Sequence, residues 1–541
     1  MKPGLIERLE NHYRTHPNTW YLGIAILAFL VYHFRLGFLP LRADEPTRTV
    51  VALEMMLSGN YWTPTINGEW YYRKPPFYNW ILIGLMQLTG SKSEFLLRLP
   101  SSVPLFLFAF TIFQHSKKYI SHFAAFLAAL MFVLCGRMLI YASFLGHIDI
   151  FYSWITYLGF IVLFEKGKQG KWLEALMYSY ILHAIGFLCK GLPSVLFTGL
   201  SAIAIICLFS NWKKIFSWQH ILSFLIFAGI ISAYFSVYNQ YNDLDGWVAQ
   251  LWDQSAQRTV IDEDKQWWEG LVSIIKFPVD HLMHLAPFLL FIPVFFLKGF
   301  RTRIKESSFL KAFGLIFLVN IPVYWLSPGY YPRYLFMLYP IVFIFLGYYY
   351  TVHKNHKVIR GLEMFLGGIL ILLTLAPFAV LFVDFKVEQG FIKALLCFLI
   401  IGVGTFLYWR HGARRWLYLF VCLIGVRLAF NFFVMEHRYR FDRTVEYKED
   451  AIAVAKLTAG SPLYLFPATP INHESTFYVE VERNEILRYH EGELNPGDYL
   501  IARYDVSHEY DENIALEEVA EMQIRYEKLR LKVFKAVKRE Q

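Results

Sequence analysis

Apolar positions in this chain come in long unbroken runs separated by short polar breaks. Tyr21 to Leu39, Ile221 to Val237 and Met364 to Val383 approach or reach the roughly 20 apolar residues that cross a bilayer core. Similar runs recur along most of the chain and predict about thirteen transmembrane helices. These begin near residues 20, 97, 121, 149, 174, 192, 220, 283, 309, 333, 362, 391 and 414, and the last ends near Val434. The stretch from Phe77 to Leu88, behind Pro75-Pro76, is too short to span comfortably and is read as an interfacial or re-entrant helix. After Glu436 the pattern becomes mixed and charged. A helix is predicted near Thr444 to Leu457, with strands at Ser461 to Phe466, at Asp498 to Tyr504 and around Leu529, Leu531 and Val533, where apolar residues alternate with Lys528, Arg530 and Lys532. The expected fold is thus an all-α polytopic membrane unit over residues 1–435, followed by a small α/β domain over 436–541.

Composition agrees: 56% of the 541 residues are hydrophobic and only 18% charged, a balance foreign to a water-soluble domain of this size. The first apolar run has no small-residue cleavage site and reads as a retained anchor. A net charge of +9 raises nucleic acid as a partner, but the cations sit in short clusters between apolar runs, so no nucleic acid is expected and membrane lipids are. The five cysteines lie within or at the ends of apolar segments, without metal-type or pairing spacing, and read as packing residues.

Those cation clusters orient the chain. Lys117-Lys118, Lys166 to Lys171, Lys213-Lys214, Lys298 to Lys305, Lys354 to Arg360 and Arg410 to Arg415 mark alternate loops as cytoplasmic. The N-terminus, with Lys2, Arg8 and Arg14, falls on the same side. The sparse loops, the longer segments 41–96 and 239–281 and everything after residue 435 then lie outside. In a bacterium this places the site and the C-terminal domain on the periplasmic face of the inner membrane.

On that outer side stand the residues able to do chemistry. Arg42-Ala43-Asp44-Glu45-Pro46-Thr47-Arg48 puts carboxylates and guanidiniums at the membrane surface, where the plain alternative is an interfacial anchor. Asn67 to Pro76 sets Arg73 and Lys74 among Trp70, Tyr71 and Tyr72 just before a helix-breaking Pro-Pro, a cluster suited to a lipid-linked phosphate. Asp149 is a membrane-edge acid that also fits a helix N-terminus. Lys190 and Arg333 are lone cations where cations are scarce, and either could simply snorkel. His281 and His284, three apart, can share a helix face for a metal, but no third ligand is evident and the pair reads as a polar helix entry.

The order Asp44-Glu45, then Leu57-Ser58-Gly59-Asn60-Tyr61 through Asn67-Gly68-Glu69 to Lys74-Pro75-Pro76, then Ser93-Glu94-Phe95 and Arg98-Leu99-Pro100, resembles the bacterial aminoarabinose transferases and the protein O-mannosyltransferases, glycosyltransferases of the GT-C type. The likeness continues through Asp149, Lys190-Gly191, Leu251 to Arg258 and Pro332-Arg333-Tyr334-Leu335. It implies a polyprenyl-phosphate sugar donor of the undecaprenyl type and an envelope acceptor such as lipid A, a glycan or a protein. It also implies catalytic acids at Asp44 and Asp149, donor phosphate held by Lys74, Arg258, Lys190 and Arg333, and substrate contacts from Glu45, Arg48, Tyr71 and Tyr72. No cofactor is assigned, with a divalent metal left open. Two departures stand out: the aminoarabinose type usually reads Asp-Glu-Ala-Arg-Tyr, whereas Arg48 here is displaced by one position, and Gln254 replaces a histidine common in the long loop. The competing functional class is a transporter or flippase of lipid-linked sugars; repeat symmetry and broken mid-membrane helices would favour it, and neither is visible in the sequence. A degenerate relative that only displays its C-terminal domain is a third.

Overall fold

The computed structural model describes residues 15–256, 267–325, 331–382, 387–506, 508, 510, 513–524 and 530–539. Among these, nine helices are long and apolar enough to cross a membrane, or ten if a pair bent by 116° between Ile274–His284 and Phe288–Phe296 counts as one span. The nine are Glu94–Ser116, His122–Ile140, Ile148–Lys168, Trp172–Lys190, Trp218–Tyr238, Ser308–Trp325, Lys357–Phe382, Gly390–Arg410 and Arg415–Phe441. Three further apolar helices, Pro17–His33, Pro193–Phe209 and Tyr339–His353, are shorter. Burial separates the middle of the bundle from its rim: 78% of His122–Ile140 is covered by protein, against 28% of Lys357–Phe382 and of Gly390–Arg410. A helix this apolar and this uncovered needs lipid as its solvent.

Between Pro17–His33 and Glu94–Ser116 the chain builds a surface layer. Helix α1 (Pro17–His33) leads to a turn at Ala43, where φ is +58°, and then to α2 (Glu45–Ser58), started by Glu45 and Pro46 and ended by Gly59 in the left-handed region. A two-residue hairpin follows, β1 (Thr65–Ile66) and β2 (Glu69–Trp70), turned by Asn67 and Gly68 with φ of +55° and +79°. Asn-Gly suits such a turn because both central residues need positive φ. Helix α3 (Phe77–Thr89) fills the expected short apolar stretch and buries Tyr78, Asn79, Leu82, Ile83 and Met86.

At the other end of the chain, the helices α4 (Arg443–Leu457) and α5 (His473–Arg483) pack with a five-stranded mixed sheet. Its strands are β3 (Leu463–Leu465), β4 (Arg488–Tyr489), β5 (Tyr499–Ala502), β6 (Ile514–Gln523) and β7 (Arg530–Lys538), in the order β4-β3-β5-β7-β6. The pairs β3–β4 and β3–β5 are parallel, and β5–β7 and β6–β7 antiparallel. This unit sits on the surface layer: the Tyr478 hydroxyl accepts from Leu41 N (2.9 Å) and donates to Glu94 (3.0 Å), Lys448 pairs with Glu94 (2.5 Å), and His473 Nδ1 and Thr47 Oγ1 share a hydrogen bond of 2.9 Å.

Candidate active site

Four separate segments deliver charge to one place. Asp44 precedes α2, Asp149 lies in the first turn of Ile148–Lys168, Lys190 is the last residue of Trp172–Lys190, and Arg333 stands in a short 3-10 turn, Pro332–Leu335. Lys190 donates to Asp149 Oδ1, Arg333 donates to Asp44 Oδ2, and Arg333 Nε lies 3.5 Å from Asp149 Oδ2. Arg333 therefore bridges the two carboxylates. They differ in access: the Asp149 side chain is 6% exposed and that of Asp44 55%. Tyr334 and Tyr152 pack their rings against the Lys190 ammonium, at 4.2 and 5.0 Å, and Tyr331 against Arg333 at 4.8 Å, contacts that favour a cation where water is scarce.

Lys74 adds a third cation of a different kind. It is half-buried and makes no hydrogen bond or ion pair among the described residues. Burial pushes its ammonium down to about 7; repulsion from Arg48 and Lys190 adds to the shift, while Asp149 and Asp44 oppose it. Arg48 is 4% exposed, hydrogen-bonds the Tyr71 hydroxyl and lies 4.8 Å from that ring, with one guanidinium nitrogen unpartnered. Its burial lowers it to about 10 against the pull of Asp44. Among the described residues, Lys74, Lys190, Arg333 and Arg48 thus gather four cations around the two carboxylates of Asp44 and Asp149. Such a surplus of positive charge, partly out of water, favours an anion.

Several expectations change here. Glu45, expected to contact substrate, is 1% exposed and fully engaged. Arg98 donates to both of its oxygens (2.8 and 3.0 Å), and the amides of Arg42 and Gly146 donate to it as well. Arg98 also donates to the carbonyls of Leu36, Leu39 and Pro40. Glu45 is therefore a positioning residue that ties the Asp44 turn to the loop entering the Asp149 helix. Tyr71, 8% exposed, supports Arg48 instead of facing a ligand. Tyr72 is half-buried, its hydroxyl accepting from Asn242 (3.1 Å) and its ring filling the space where a Cβ on Gly246 would come within 2.5 Å. Arg258 lies outside the described residues. His281 Nδ1 donates to the Phe277 carbonyl (2.8 Å), and among the described residues no group of three or more His, Cys, Asp or Glu side chains forms a metal site.

Sequence reasoning gave Arg98 and Tyr334 no role although it quoted both within motifs. It missed Tyr152 and His473 altogether. An arginine at the head of an apolar helix was a usable signal for the first. Nothing local marks the others.

An apolar cavity of about 480 Å³ opens beside this cluster, lined by Phe277, Leu285, Phe317, Trp325, Leu335 and Tyr339 among others. Leu335 ends the same short turn that carries Arg333, so the cavity and the charged cluster share a wall.

Residues 73–237 match the dolichyl-phosphate-mannose-protein mannosyltransferase family. The undecaprenyl phosphate-alpha-4-amino-4-deoxy-L-arabinose arabinosyl transferase of Edwardsiella ictaluri is 23% identical over 425 residues, covering 75% of each chain. A second such transferase, from Pseudomonas fluorescens, is 24% identical over 65% of this chain and 62% of its own. The fold is similar to that of ArnT from Cupriavidus metallidurans bound to undecaprenyl phosphate, with a TM-score of 0.69 over 96% of this chain and 98% of that one, at 16% identity. With its many spans and its paired acids and cations, the chain is a membrane glycosyltransferase that resembles enzymes of the GT-C type, the bacterial aminoarabinose transferases and the protein mannosyltransferases among them.

Proposed function

We propose that this chain moves a sugar from a polyprenyl-phosphate donor to an envelope acceptor, a lipid first among them, at the Asp44–Asp149 cluster. The observation that carries the reading is the surplus of four cations over two carboxylates, with Lys74 left unpaired among the described residues. The phosphodiester of the donor supplies one negative charge, and the polyprenyl phosphate monoester released on transfer carries a second. The apolar cavity beside Arg333 is the natural seat for the polyprenyl chain next to that phosphate.

The accessible carboxylate, Asp44, is the base. It takes the proton of an acceptor hydroxyl as that oxygen attacks the anomeric carbon, and the carbon–oxygen bond to phosphate breaks. The departing phosphate keeps the electron pair, and its growing charge is met by Lys74, Lys190 and Arg333. An ionised phosphate acceptor would need only positioning. Asp149 holds Lys190 and Arg333 in place. Arg48 adds its charge beside Lys74, and Arg258 joins the donor-binding set through the family resemblance.

In this reading the three shorter helices and the bent pair cross the membrane along with the nine long ones, thirteen spans in all, an odd number. With lysine and arginine concentrated in alternate loops, this supports a cytoplasmic N-terminus, and it supports an extracytoplasmic site beneath a C-terminal domain of residues 436–541 at a bacterial inner membrane. The test is turnover of labelled polyprenyl-phosphate sugars by purified wild type and by Asp44→Ala. Equal consumption by both would remove Asp44 from the chemistry.

A further inference from the structure

A second apolar groove, of about 470 Å³, lies away from the cavity beside Arg333. It is lined by Ile140, Leu373, Ala379, Ile401, Phe430 and Phe433 among others, between the sparsely covered helices Lys357–Phe382 and Gly390–Arg410 and the last span, Arg415–Phe441. The last span departs from α-helical geometry here: Phe430–Val434 is a π-helical turn, an irregularity often kept at functional sites. The groove runs from Ile401, near the middle of its helix, to His437 beyond the π turn.

Its upper rim is cationic. The Arg438 guanidinium sits 5.5 Å from the ring of Phe430, which lines the groove, and 5.3 Å from Phe144. Among the described residues it makes no hydrogen bond or ion pair. Arg440, 41% exposed, reaches only a long contact of 3.8 Å to Glu436, and Glu436 is already paired with Arg35 at 3.0 Å. Exposed His437 adds a polar edge. The rim also continues into the reaction site. Asn431 of the π turn donates to Val31 O (2.7 Å) and Phe34 O (3.2 Å), Arg35 returns a bond to Asn431 O (3.1 Å), and Arg42 pairs with Asp442 at 2.9 Å. Two residues beyond Arg42 is Asp44.

We infer that this groove takes an acyl chain of an anionic acceptor lipid, whose phosphate rests on Arg438 and Arg440 and whose reactive group is thereby presented to Asp44. The inference rests on the glycosyltransferase reading and gives its second substrate a place. The donor then occupies the groove beside Arg333 and the acceptor the groove beneath Arg438, on two flanks of one cluster. A neutral lipid gains nothing from the unpaired guanidinium. A soluble peptide or glycan has no use for an apolar groove bounded by two sparsely covered helices of the bundle.

The test uses the full chain in phosphatidylcholine nanodiscs with a trace of phosphatidic acid carrying a diazirine on one acyl chain. Photolabelling is expected on peptides spanning Leu373–Val380 and Val426–Val434, competed by unlabelled phosphatidic acid and not by phosphatidylcholine. Arg438→Gln and Ala379→Trp, the latter filling the groove from an exposed position, are each expected to cut that labelling at least fivefold. Equal labelling by a diazirine phosphatidylcholine, or labelling indifferent to both substitutions, would mean ordinary annular lipid and would overturn the proposal. Binding of polyprenyl phosphate to wild type is measured separately. Its absence would count against the donor reading, whereas intact donor binding without selective labelling sinks the acceptor groove alone.

Discussion

At one end of the bundle Glu363 is closed off. Arg415 donates to one of its oxygens at 2.5 Å, Tyr350 to the other at 2.6 Å, and Tyr408 to its backbone carbonyl at 2.7 Å. At the other end, one helix length or about 30 Å away, Asp44 and Asp149 share Lys190 and Arg333 while Lys74 and Arg48 stand over them without carboxylates of their own. Both clusters are partly buried and contain an arginine paired with a carboxylate. One is balanced and so has no room for a ligand charge. The other is left with excess positive charge, which costs stability unless an anion arrives. Residue inventory alone does not separate a structural ion pair from a site; the residual charge does.

The sharpest way to break this comparison is Asp44→Asn. Loss of the base should lower the transfer rate about a hundredfold to ten-thousandfold, read as kcat on a hydroxyl acceptor, with donor binding retained. A rate within a few-fold of wild type would mean that Asp44 is as structural as Glu363.

Next in size is Arg98→Met, which leaves Glu45 charged and buried. Truncating one partner of such a pair costs about 3–5 kcal/mol, so the detergent-solubilised protein should melt well below wild type, whereas Asp44→Asn should melt near it. Matching melting curves for the two variants would erase the distinction drawn between adjacent residues.

Lys74 sharpens the comparison through pH. Its folded-state pKa is depressed to about 7, so the ammonium that meets phosphate is present below pH 7 and lost as pH rises through it. The expected result is kcat/KM for the donor falling above neutrality, with Lys74→Arg moving that fall to higher pH. A profile unchanged by the substitution would assign the titration to another group.

A smaller effect belongs to the contact between the surface layer and the C-terminal unit. Glu54 accepts from Thr65 (2.7 Å) and from the amides of Asn67 and Gly68, and it faces Glu480 of α5; both carboxyls are fully buried. Burial raises Glu54, and burial together with the Glu54 charge raises Glu480 further. A raised carboxyl holds its proton in the fold and loses it in the unfolded chain. Stability is therefore full at low pH and declines as pH rises through the raised values. Differential scanning fluorimetry should show this decline in wild type and a flatter profile in Glu480→Gln. The smallest expected effect on transfer is that of Glu363→Gln: melting falls and the turnover of the remaining folded protein stays at the wild-type rate.

Much of this was legible in one dimension. Apolar run length marks a span because the bilayer core has a fixed thickness and a helix rises about 1.5 Å per residue. For the same reason the short stretch at Phe77 was readable as a non-spanning helix, while β7 was readable from the alternation of its apolar and charged residues. The Asn67-Gly68 turn was there to be read, yet the segment was read for its charges and aromatics and no hairpin was drawn from it. The candidate acids and cations were legible as charge in a place where charge is scarce.

Their division of labour was not. Asp44 and Glu45 are adjacent carboxylates on one turn, and nothing in their types says which will face outward. That was decided by Arg98, which occupies Glu45 from 53 residues away, and by Arg333, which meets Asp44 across 289 residues. The sequence by itself determined the solvent, the spans and the list of chemically able side chains, because these depend on local hydrophobicity. Only the tertiary structure decided which of those side chains are paired and which are left with unbalanced charge, because pairing depends on distances between segments that chain order does not encode.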